Sequence, residues 1–287
     1  MRHVLIAIVL GSALAVSAAH AGPINVVAAE NFYGDVVEQI GGPEVSVVSI
    51  LTNPDQDPHS FEANPSTARA LADAKLVVYS GADYDAWAEK LLAASKAPAR
   101  QVIDVAKLVH RKSGDNPHIW YDPATMPVLA RHLAAVLSRL DPPHRADYAE
   151  RLAAFEGSLK EMRAKVSELR GKYAGTVVTA TEPVFGYMAD ALGLKMRNAR
   201  FQLAVMNDTE PSATEIAGFE KDLRAHTVKV LFYNSQTSEA LTERMRAIAT
   251  EAKVPIVGVT ETEPPGKRYQ EWMLSQLAAL DQALAGQ

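Results

Sequence analysis

Four side chains of this sequence have the chemistry of metal ligands, or of hydrogen-bonding groups in a binding site. Two are histidines, His59 in "DPHSFEANPS" and His118 in "NPHIW", and each follows a proline. Because proline restricts the backbone around it, it lowers the entropy cost of holding an imidazole in place. The other two are glutamates, Glu182 in "TEPVFGY" and Glu261 in "TETEPPG". A lone loop histidine is more often a surface group, so the site hypothesis depends on the four residues together.

Short apolar, β-branched runs separated by helical stretches predict parallel strands with crossover helices. Four runs lie in each half of the chain, and "LKMRNA" is the weakest of them. The runs are 24–30, 45–51, 76–81, 101–106, 176–181, 194–199, 228–234 and 254–259. In open α/β sheets, ligands bind beyond the carboxyl ends of the strands. All four candidate residues follow a predicted strand, so we expect all four on that side.

A single long helix is predicted between the two sets of strands. From Tyr148 to Leu169, apolar residues recur alternately four and three positions apart, which is the spacing of one helix face. A helix from about His144 to Lys172 would be ~43 Å long at 1.5 Å per residue, and Gly175 is a stop signal. The apolar stripe could form a coiled-coil seam with a partner, but packing along both lobes is the preferred interpretation.

The predicted fold class is therefore α/β, with two lobes that are each a mainly parallel sheet flanked by helices, joined by one long linking helix. The predicted division is a signal peptide at 1–21, an N-terminal α/β lobe at 22–143, the linking helix at 144–172 and a C-terminal α/β lobe at 173–287. We expect a stiff linking helix to limit hinge motion between the lobes.

The first residues have the pattern of an export signal. Arg2 precedes an apolar run, and the Ala-His-Ala sequence at 19–21 is typical of a cleavage site. We expect a mature chain that begins at Gly22 and is soluble in a bacterial periplasm, since no later window is apolar enough to span a membrane.

Composition excludes several classes of protein. The 287 residues include no cysteine, which excludes disulfides, thiolate metal sites, cysteine nucleophiles and a lipid-bearing cysteine at the cleavage point. The net charge is −5, and no stretch has the clustered Lys and Arg that phosphate binding needs. We therefore expect no nucleic-acid partner.

Four segments resemble successive signatures of one known family. They are "DPHSFEANPS", "NPHIW", "FGYMADALGL" and "EPSATEIAGF", and in this order they are similar to the cluster A-I solute-binding receptors of zinc and manganese ABC importers. The resemblance covers nearly the whole mature chain. It implies two α/β lobes joined by one long helix, one divalent metal ion bound between them, and delivery of that ion to a membrane permease driven by a separate ATPase. We expect a monomeric receptor.

The resemblance also implies four metal ligands. The first falls on His59, the second on His118, and the third on Glu182, three residues before the Phe of "FGY". The third ligand is usually histidine in zinc-type members and glutamate in many manganese-type members. The fourth is usually an aspartate after the last strand of the second sheet. Here the sequence offers Glu261, which we prefer, or Glu263.

Two imidazoles and two carboxylates would carry a charge of −2, which neutralises a divalent ion in a cleft of low dielectric constant. Oxygen-rich sites suit manganese, whereas intrinsic affinity favours zinc over manganese. The sequence therefore leaves zinc, manganese and iron open as the transported ion. Asp115 and Asp122 flank His118 and are candidates to orient its ring through the other nitrogen.

Two other functions fit parts of the sequence. A secreted metallohydrolase would keep three protein ligands and one position for water, but the sequence has no His-Glu-x-x-His helix and no Gly-x-Ser-x-Gly elbow. A receptor for an organic solute such as a carboxylate would need arginines where the two glutamates fall. We therefore predict a binding protein rather than an enzyme.

Overall fold

The computed structural model describes residues 22–53, 61–236 and 239–286. The predicted signal peptide and the predicted ligand His59 lie outside these ranges. Within them the chain forms two lobes, each built on a four-stranded parallel sheet flanked by helices. The predicted fold class, two α/β lobes joined by one long helix, is confirmed.

The two sheets have the same strand order. It is β2-β1-β3-β4 in the N-terminal lobe and β6-β5-β7-β8 in the C-terminal lobe. The strands are β1 (Ile24–Glu30), β2 (Val45–Leu51), β3 (Leu76–Tyr79), β4 (Gln101–Asp104), β5 (Val177–Ala180), β6 (Lys195–Arg197), β7 (Leu231–Asn234) and β8 (Ile256–Val259). In each sheet the strand order reverses between the first and third strands. That switch point leaves a crevice beyond the strands' carboxyl ends, where ligands bind in such sheets.

Helices cover the sheets and connect their strands. They are α1 (Asn31–Gly41), α2 (Pro65–Asp73), α3 (Ala86–Ala94), α4 (Val105–Leu108), α5 (Thr125–Leu140), α6 (Arg145–Tyr173), α7 (Gly186–Ala191), α8 (Ala199–Met206), α9 (Ala213–Arg224), α10 (Ala240–Glu251) and α11 (Tyr269–Ala285). Short 3-10 turns occupy Gly42–Glu44, Ile119–Tyr121, Pro142–His144 and Pro183–Phe185. No helix within the described ranges is both long enough and apolar enough to cross a membrane.

The predicted strand at 101–106 is too long at its carboxyl end. Strand β4 stops at Asp104, and the apolar residues after it begin the short helix α4. Asp104 causes the change of structure because its side chain accepts a hydrogen bond from the Lys107 main-chain N–H at 3.0 Å, which caps the helix. A capping side chain therefore outweighs the β preference of Val105.

The long helix α6 contains 29 residues and packs against α1 and α5 of the first lobe and against α11 at the end of the chain. Its apolar stripe is largely buried within the chain, with Tyr148, Phe155, Leu159, Met162 and Leu169 inaccessible or nearly so. The stripe therefore belongs to the core of the protein and does not form an exposed seam for a partner helix.

The two lobes share one hydrophobic core. The ring centroids of Phe32 in the first lobe and Trp272 in α11 are 5.9 Å apart, and those of Tyr121 and Phe185 of the second lobe are 5.5 Å apart. The Tyr121 hydroxyl also donates to the Thr260 carbonyl at 2.7 Å. Since these aromatic rings are buried from both sides, opening the lobes by a wide hinge motion would expose them.

Candidate functional site

Three of the predicted ligands lie beyond the carboxyl ends of the strands. Glu182 comes two residues after β5, Glu261 comes two residues after β8, and His118 lies in the loop that follows β4 and α4. All three are buried, with 3%, 0% and 0% of their surface exposed, respectively. The fourth predicted ligand, His59, is outside the described residues.

His118 contacts Glu261 across the lobes, with Nε2 3.3 Å from Oε2. Its other ring nitrogen, Nδ1, is 2.7 Å from the side-chain oxygen of Asn116. An amide oxygen only accepts hydrogen bonds, so Nδ1 carries the proton and the neutral ring presents its lone pair at Nε2. That lone pair and the Glu261 carboxylate therefore lie within reach of the same metal ion.

Asn116 orients the imidazole, whereas the sequence suggested Asp115 or Asp122. Asp115 instead accepts from the main-chain N–H of Lys112, and Asp122 pairs with Arg111. The Asn116 amide also donates to the carbonyl of Pro183, the residue after Glu182, at 2.8 Å. One side chain thus fixes His118 in the first lobe relative to the Glu182 turn in the second.

Asn234 holds the two glutamates. It ends β7, which lies between β5 and β8 in the sheet, so it lies between Glu182 and Glu261. Its amide Nδ2 is 3.2 Å from Glu182 Oε1 and 2.7 Å from Glu261 Oε1. Hydrogen bonds to a carboxylate favour its charged form. His118 and Glu261 are therefore in direct contact, and Glu182 is linked to Glu261 through the side-chain amide of Asn234.

Glu261 has two further supports. Tyr84 donates its hydroxyl to Glu261 Oε2 at 2.9 Å, and burial raises the pKa of Tyr84 well above its usual value, so the phenol stays protonated. The Gln236 side chain accepts from the main-chain N–H of Glu261 and, at 2.9 Å, from that of Thr262. The described groups that contact Glu261 thus include an imidazole, amides and a phenol.

Glu263 faces a different environment. Asn31 fixes its main chain with two hydrogen bonds, at 3.0 and 2.7 Å, and its side chain lines a cavity of about 440 Å³ together with Asp35 and Glu38 of α1. Burial, followed by the charge of Asp35, raises the pKa of Glu263 to about 9. The geometry therefore favours Glu261 as the carboxylate opposite His118.

A second pair of buried carboxyl groups lies in the N-terminal lobe. Glu30 is the last residue of β1, and neither of its oxygens accepts a hydrogen bond within the described part of the chain. Asp85 accepts from the main-chain N–H groups of Ser80 and Gly81 at 2.6 and 2.8 Å. Burial and the neighbouring Asp85 raise the pKa of Glu30 well above its usual value, and burial raises the pKa of Asp85 to about 7.

Besides Asn116 and Asn31, sequence reasoning missed five of these residues: Glu30, Tyr84, Asp85, Asn234 and Gln236. Two of them end a strand, so the carboxyl-end rule that selected the glutamates could have found Glu30 and Asn234. The others carry no such signal, since the Tyr84–Glu261 contact joins residues 177 positions apart.

The comparisons with known proteins agree with this architecture. The family model of ZnuA, "Zinc-uptake complex component A periplasmic", matches residues 26–283. Among curated relatives, the manganese ABC transporter substrate-binding lipoprotein PsaA of Streptococcus pneumoniae is 22% identical over 91% of this chain and 89% of its own length. The metal ABC transporter substrate-binding lipoprotein ScbA of Streptococcus cristatus is 24% identical over 86% and 83%.

Two solved structures show the same fold. The periplasmic zinc-binding protein TroA of Treponema pallidum has a TM-score of 0.78 at 20% identity, covering 92% of this chain and 99% of its own. A mutant, manganese-bound form of a periplasmic metal-binding protein of Candidatus Liberibacter asiaticus has a TM-score of 0.75 at 18% identity, covering 90% and 98%. Since the family model spans nearly the whole of the described chain, this protein belongs to the ZnuA family of periplasmic zinc-uptake components.

Proposed function

We propose that this protein is a periplasmic solute-binding protein that captures one divalent transition metal ion, zinc or manganese, between its lobes and delivers it to an ABC importer. The observation that carries the proposal is the buried contact between His118 Nε2 and Glu261 Oε2 at 3.3 Å, with Glu182 attached through Asn234. The names of the relatives support the same role, because they are substrate-binding components of metal ABC transporters.

The electrostatics favour a cation as the bound solute. Glu182 and Glu261 are both buried, and two carboxylates close together in a buried site attract a cation. A divalent ion balances their two charges, and with His59 and His118 as neutral ligands the complex has no net charge. An anionic organic solute would instead add to the negative charge, so this alternative is disfavoured.

The surrounding residues prepare the ligands for the ion. Asn116 keeps the His118 proton on Nδ1, so the lone pair at Nε2 can coordinate the ion, and Tyr84 and Asn234 keep the Glu261 carboxylate in place. Such outer partners orient ligands and raise metal affinity. The ligands come from both lobes, so metal binding strengthens the connection between them.

His59 completes the proposed ligand set from the stretch of sequence between β2 and α2. Asn64 caps the start of α2 by accepting from the main-chain N–H groups of Ser66 and Thr67 at 2.9 and 3.1 Å. With two imidazoles and two carboxylates the coordination is closed, which suits carriage of an ion. Hydrolysis would need an open position for water, so we infer a receptor and not an enzyme.

The proposal is tested with chelator-treated protein comprising residues 22–287. Zinc and manganese binding are measured by calorimetry, and the metal content of the purified protein by mass spectrometry. We expect one tight site per chain that is lost in His59→Ala and in His118→Ala. His226→Asn is the matched control, since His226 is exposed in the second lobe. Unchanged affinity in both histidine variants would refute the ligand assignment.

Delivery is tested in cells. A bacterial strain that lacks the gene for this chain should need more zinc or manganese for growth, and the intact gene should restore normal growth. The His118→Ala gene should fail to restore it. Equal growth of the deletion strain and its parent in metal-depleted medium would contradict a transport role.

A further inference from the structure

A second group of metal-ligating side chains lies at the start of the linking helix. Glu44, His144 and Asp147 each offer one ligand atom, and these three atoms lie within 4.8 Å of one another. Among the described residues, no other set of three His, Asp or Glu side chains meets this distance. Two carboxylates and an imidazole at this spacing have the chemistry of a transition-metal site.

The group lies far from the cleft. Glu44 ends the 3-10 turn before β2, at the amino end of that strand, whereas the cleft ligands lie beyond the carboxyl ends. The seven residues of β2 span about 23 Å at 3.3 Å per residue. His144 directly precedes α6, and Asp147 is its third residue. The group therefore joins the sheet of the first lobe to the linking helix and is separate from the cleft.

The imidazole of His144 has an outer carboxylate partner. Its Nδ1 is 2.6 Å from Asp141 Oδ2, which also accepts the Tyr148 hydroxyl at 2.7 Å. Because a carboxylate accepts the Nδ1 proton, the lone pair of the neutral ring is on Nε2. Histidines that bind metal usually have this kind of partner, which fixes the tautomer and increases the basicity of the ligand.

One positive charge opposes a metal ion here. Arg151 pairs with Glu44 at 2.7 Å and also donates to the Gly41 carbonyl at 2.7 Å. The side chains are only partly buried, with 36% of His144 and 16% of Glu44 exposed, so water can complete the coordination. Both features reduce the expected affinity below that of a fully buried site without a competing arginine.

We propose that Glu44, His144 and Asp147 form a second, weaker binding site for a divalent transition metal ion. The nitrogen ligand favours zinc and similar ions over magnesium and calcium, which prefer oxygen ligands alone. An ion bound there connects the entry to β2 with the first turn of α6. This site does not depend on the proposed function of the cleft.

The test is a zinc titration of the chelator-treated protein comprising residues 22–287. We expect a weaker class of sites in addition to any cleft site. His144→Gln and Asp147→Asn should each weaken that class by about tenfold or more, since even the loss of an outer partner costs 10- to 100-fold. His226→Gln is the matched control, because it removes an exposed histidine of the other lobe and should leave both classes unchanged. The melting temperature without metal checks that each variant folds.

A third variant should increase the zinc affinity of the weaker class instead of reducing it. Arg151→Gln removes the competing charge and should tighten the weaker class by about tenfold, the equivalent of ~1.4 kcal/mol. Cobalt(II) should also broaden the NMR signals of the His144 ring in the parent protein. The proposal is overturned if no class of zinc site is weakened in either His144→Gln or Asp147→Asn.

Discussion

The two lobes have the same strand order but carry different types of proposed ligand beyond the ends of their strands. In the N-terminal lobe the proposed ligands are the imidazoles of two histidines that follow the second and fourth strands in the sequence. In the C-terminal lobe they are carboxylates, after the first and fourth strands. Each lobe nevertheless buries a glutamate at or just beyond the carboxyl end of its first strand, Glu30 in one and Glu182 in the other. These two glutamates have different neighbours, and the neighbour determines what each can do.

The difference arises from a polar side chain at or beyond the carboxyl end of the third strand of each lobe. In the N-terminal lobe it is Asp85, a second carboxyl group, whose charge adds to burial in raising the pKa of Glu30. In the C-terminal lobe it is Asn234, whose amide donates to Glu182 and to Glu261. A carboxyl neighbour favours protonation, whereas an amide donor favours the charged form that binds metal. The same topology therefore gives a buried acid with a raised pKa in one lobe and the proposed metal ligand in the other.

The largest expected effect is the loss of metal affinity when the His118 imidazole of the first lobe is removed. His118→Ala should reduce zinc and manganese affinity by about 100-fold or more, since it removes a ligand rather than an outer partner. A metal ion at 1,000 times its dissociation constant stabilises the native state by ~4 kcal/mol, and the variant should lose most of this gain. Thermal melting with and without metal measures it. If metal raises the melting temperature of the variant as much as that of the parent, His118 is not a ligand.

The carboxylate of the second lobe is tested next. Glu182→Gln keeps the shape of the side chain but removes one negative charge, so affinity should fall by about tenfold or more for both ions. Glu182→His makes this lobe resemble the first in ligand type, and the added nitrogen should cost manganese more affinity than zinc. Competition titrations give the ratio of the two affinities. If both variants bind both ions as the parent does, Glu182 is not a ligand.

Much of this architecture follows from the sequence, because buried parallel strands are short apolar runs. The runs at 24–30 and 45–51 match β1 and β2 to the residue, while the run at 101–106 fails at Asp104, whose capping bond no apolar pattern reveals. The candidate ligands follow from the carboxyl-end rule together with the family resemblance. Their relative positions do not, since they depend on side chains that meet across the lobes.

The choice between Glu261 and Glu263 illustrates this limit. The two residues are close neighbours in the sequence, and nothing in their local context separates them. The difference arises from Asn31, which fixes the Glu263 main chain, and from Tyr84 and Asn234, which contact Glu261. These three residues are distant in sequence from the segment they organise, so only the folded chain distinguishes the two glutamates.

A smaller effect is expected for Asn234→Asp. This variant gives the second lobe a carboxyl group near the end of its third strand, where the first lobe has Asp85. Asn234→Asp replaces an amide donor with a carboxyl group between Glu182 and Glu261. The loss of two hydrogen bonds to charged groups, with added repulsion, should lower the free energy of unfolding of the metal-free protein by ~2–3 kcal/mol at pH 8. Urea denaturation measures this change. Asn207→Asp, at an exposed asparagine, is the control and should have little effect.

The smallest expected effect concerns the carboxyl pair of the first lobe. The pKa of Glu30 is raised in the folded protein, so the native state keeps a proton that the unfolded chain releases above its usual value of 4.5. Stability is therefore lost as the pH rises from that value towards the raised pKa, by ~1.4 kcal/mol for each pH unit in this interval. Glu30→Gln imitates the neutral acid and cannot ionise. Relative to the parent, the variant should gain ~1 kcal/mol or more of stability between pH 5 and pH 8. Urea denaturation at the two pH values tests this gain, with the exposed Glu89→Gln as the control. If the difference between Glu30→Gln and the parent is independent of pH, Glu30 is ionised in the native state, and the contrast between the two lobes does not arise from their third-strand neighbours.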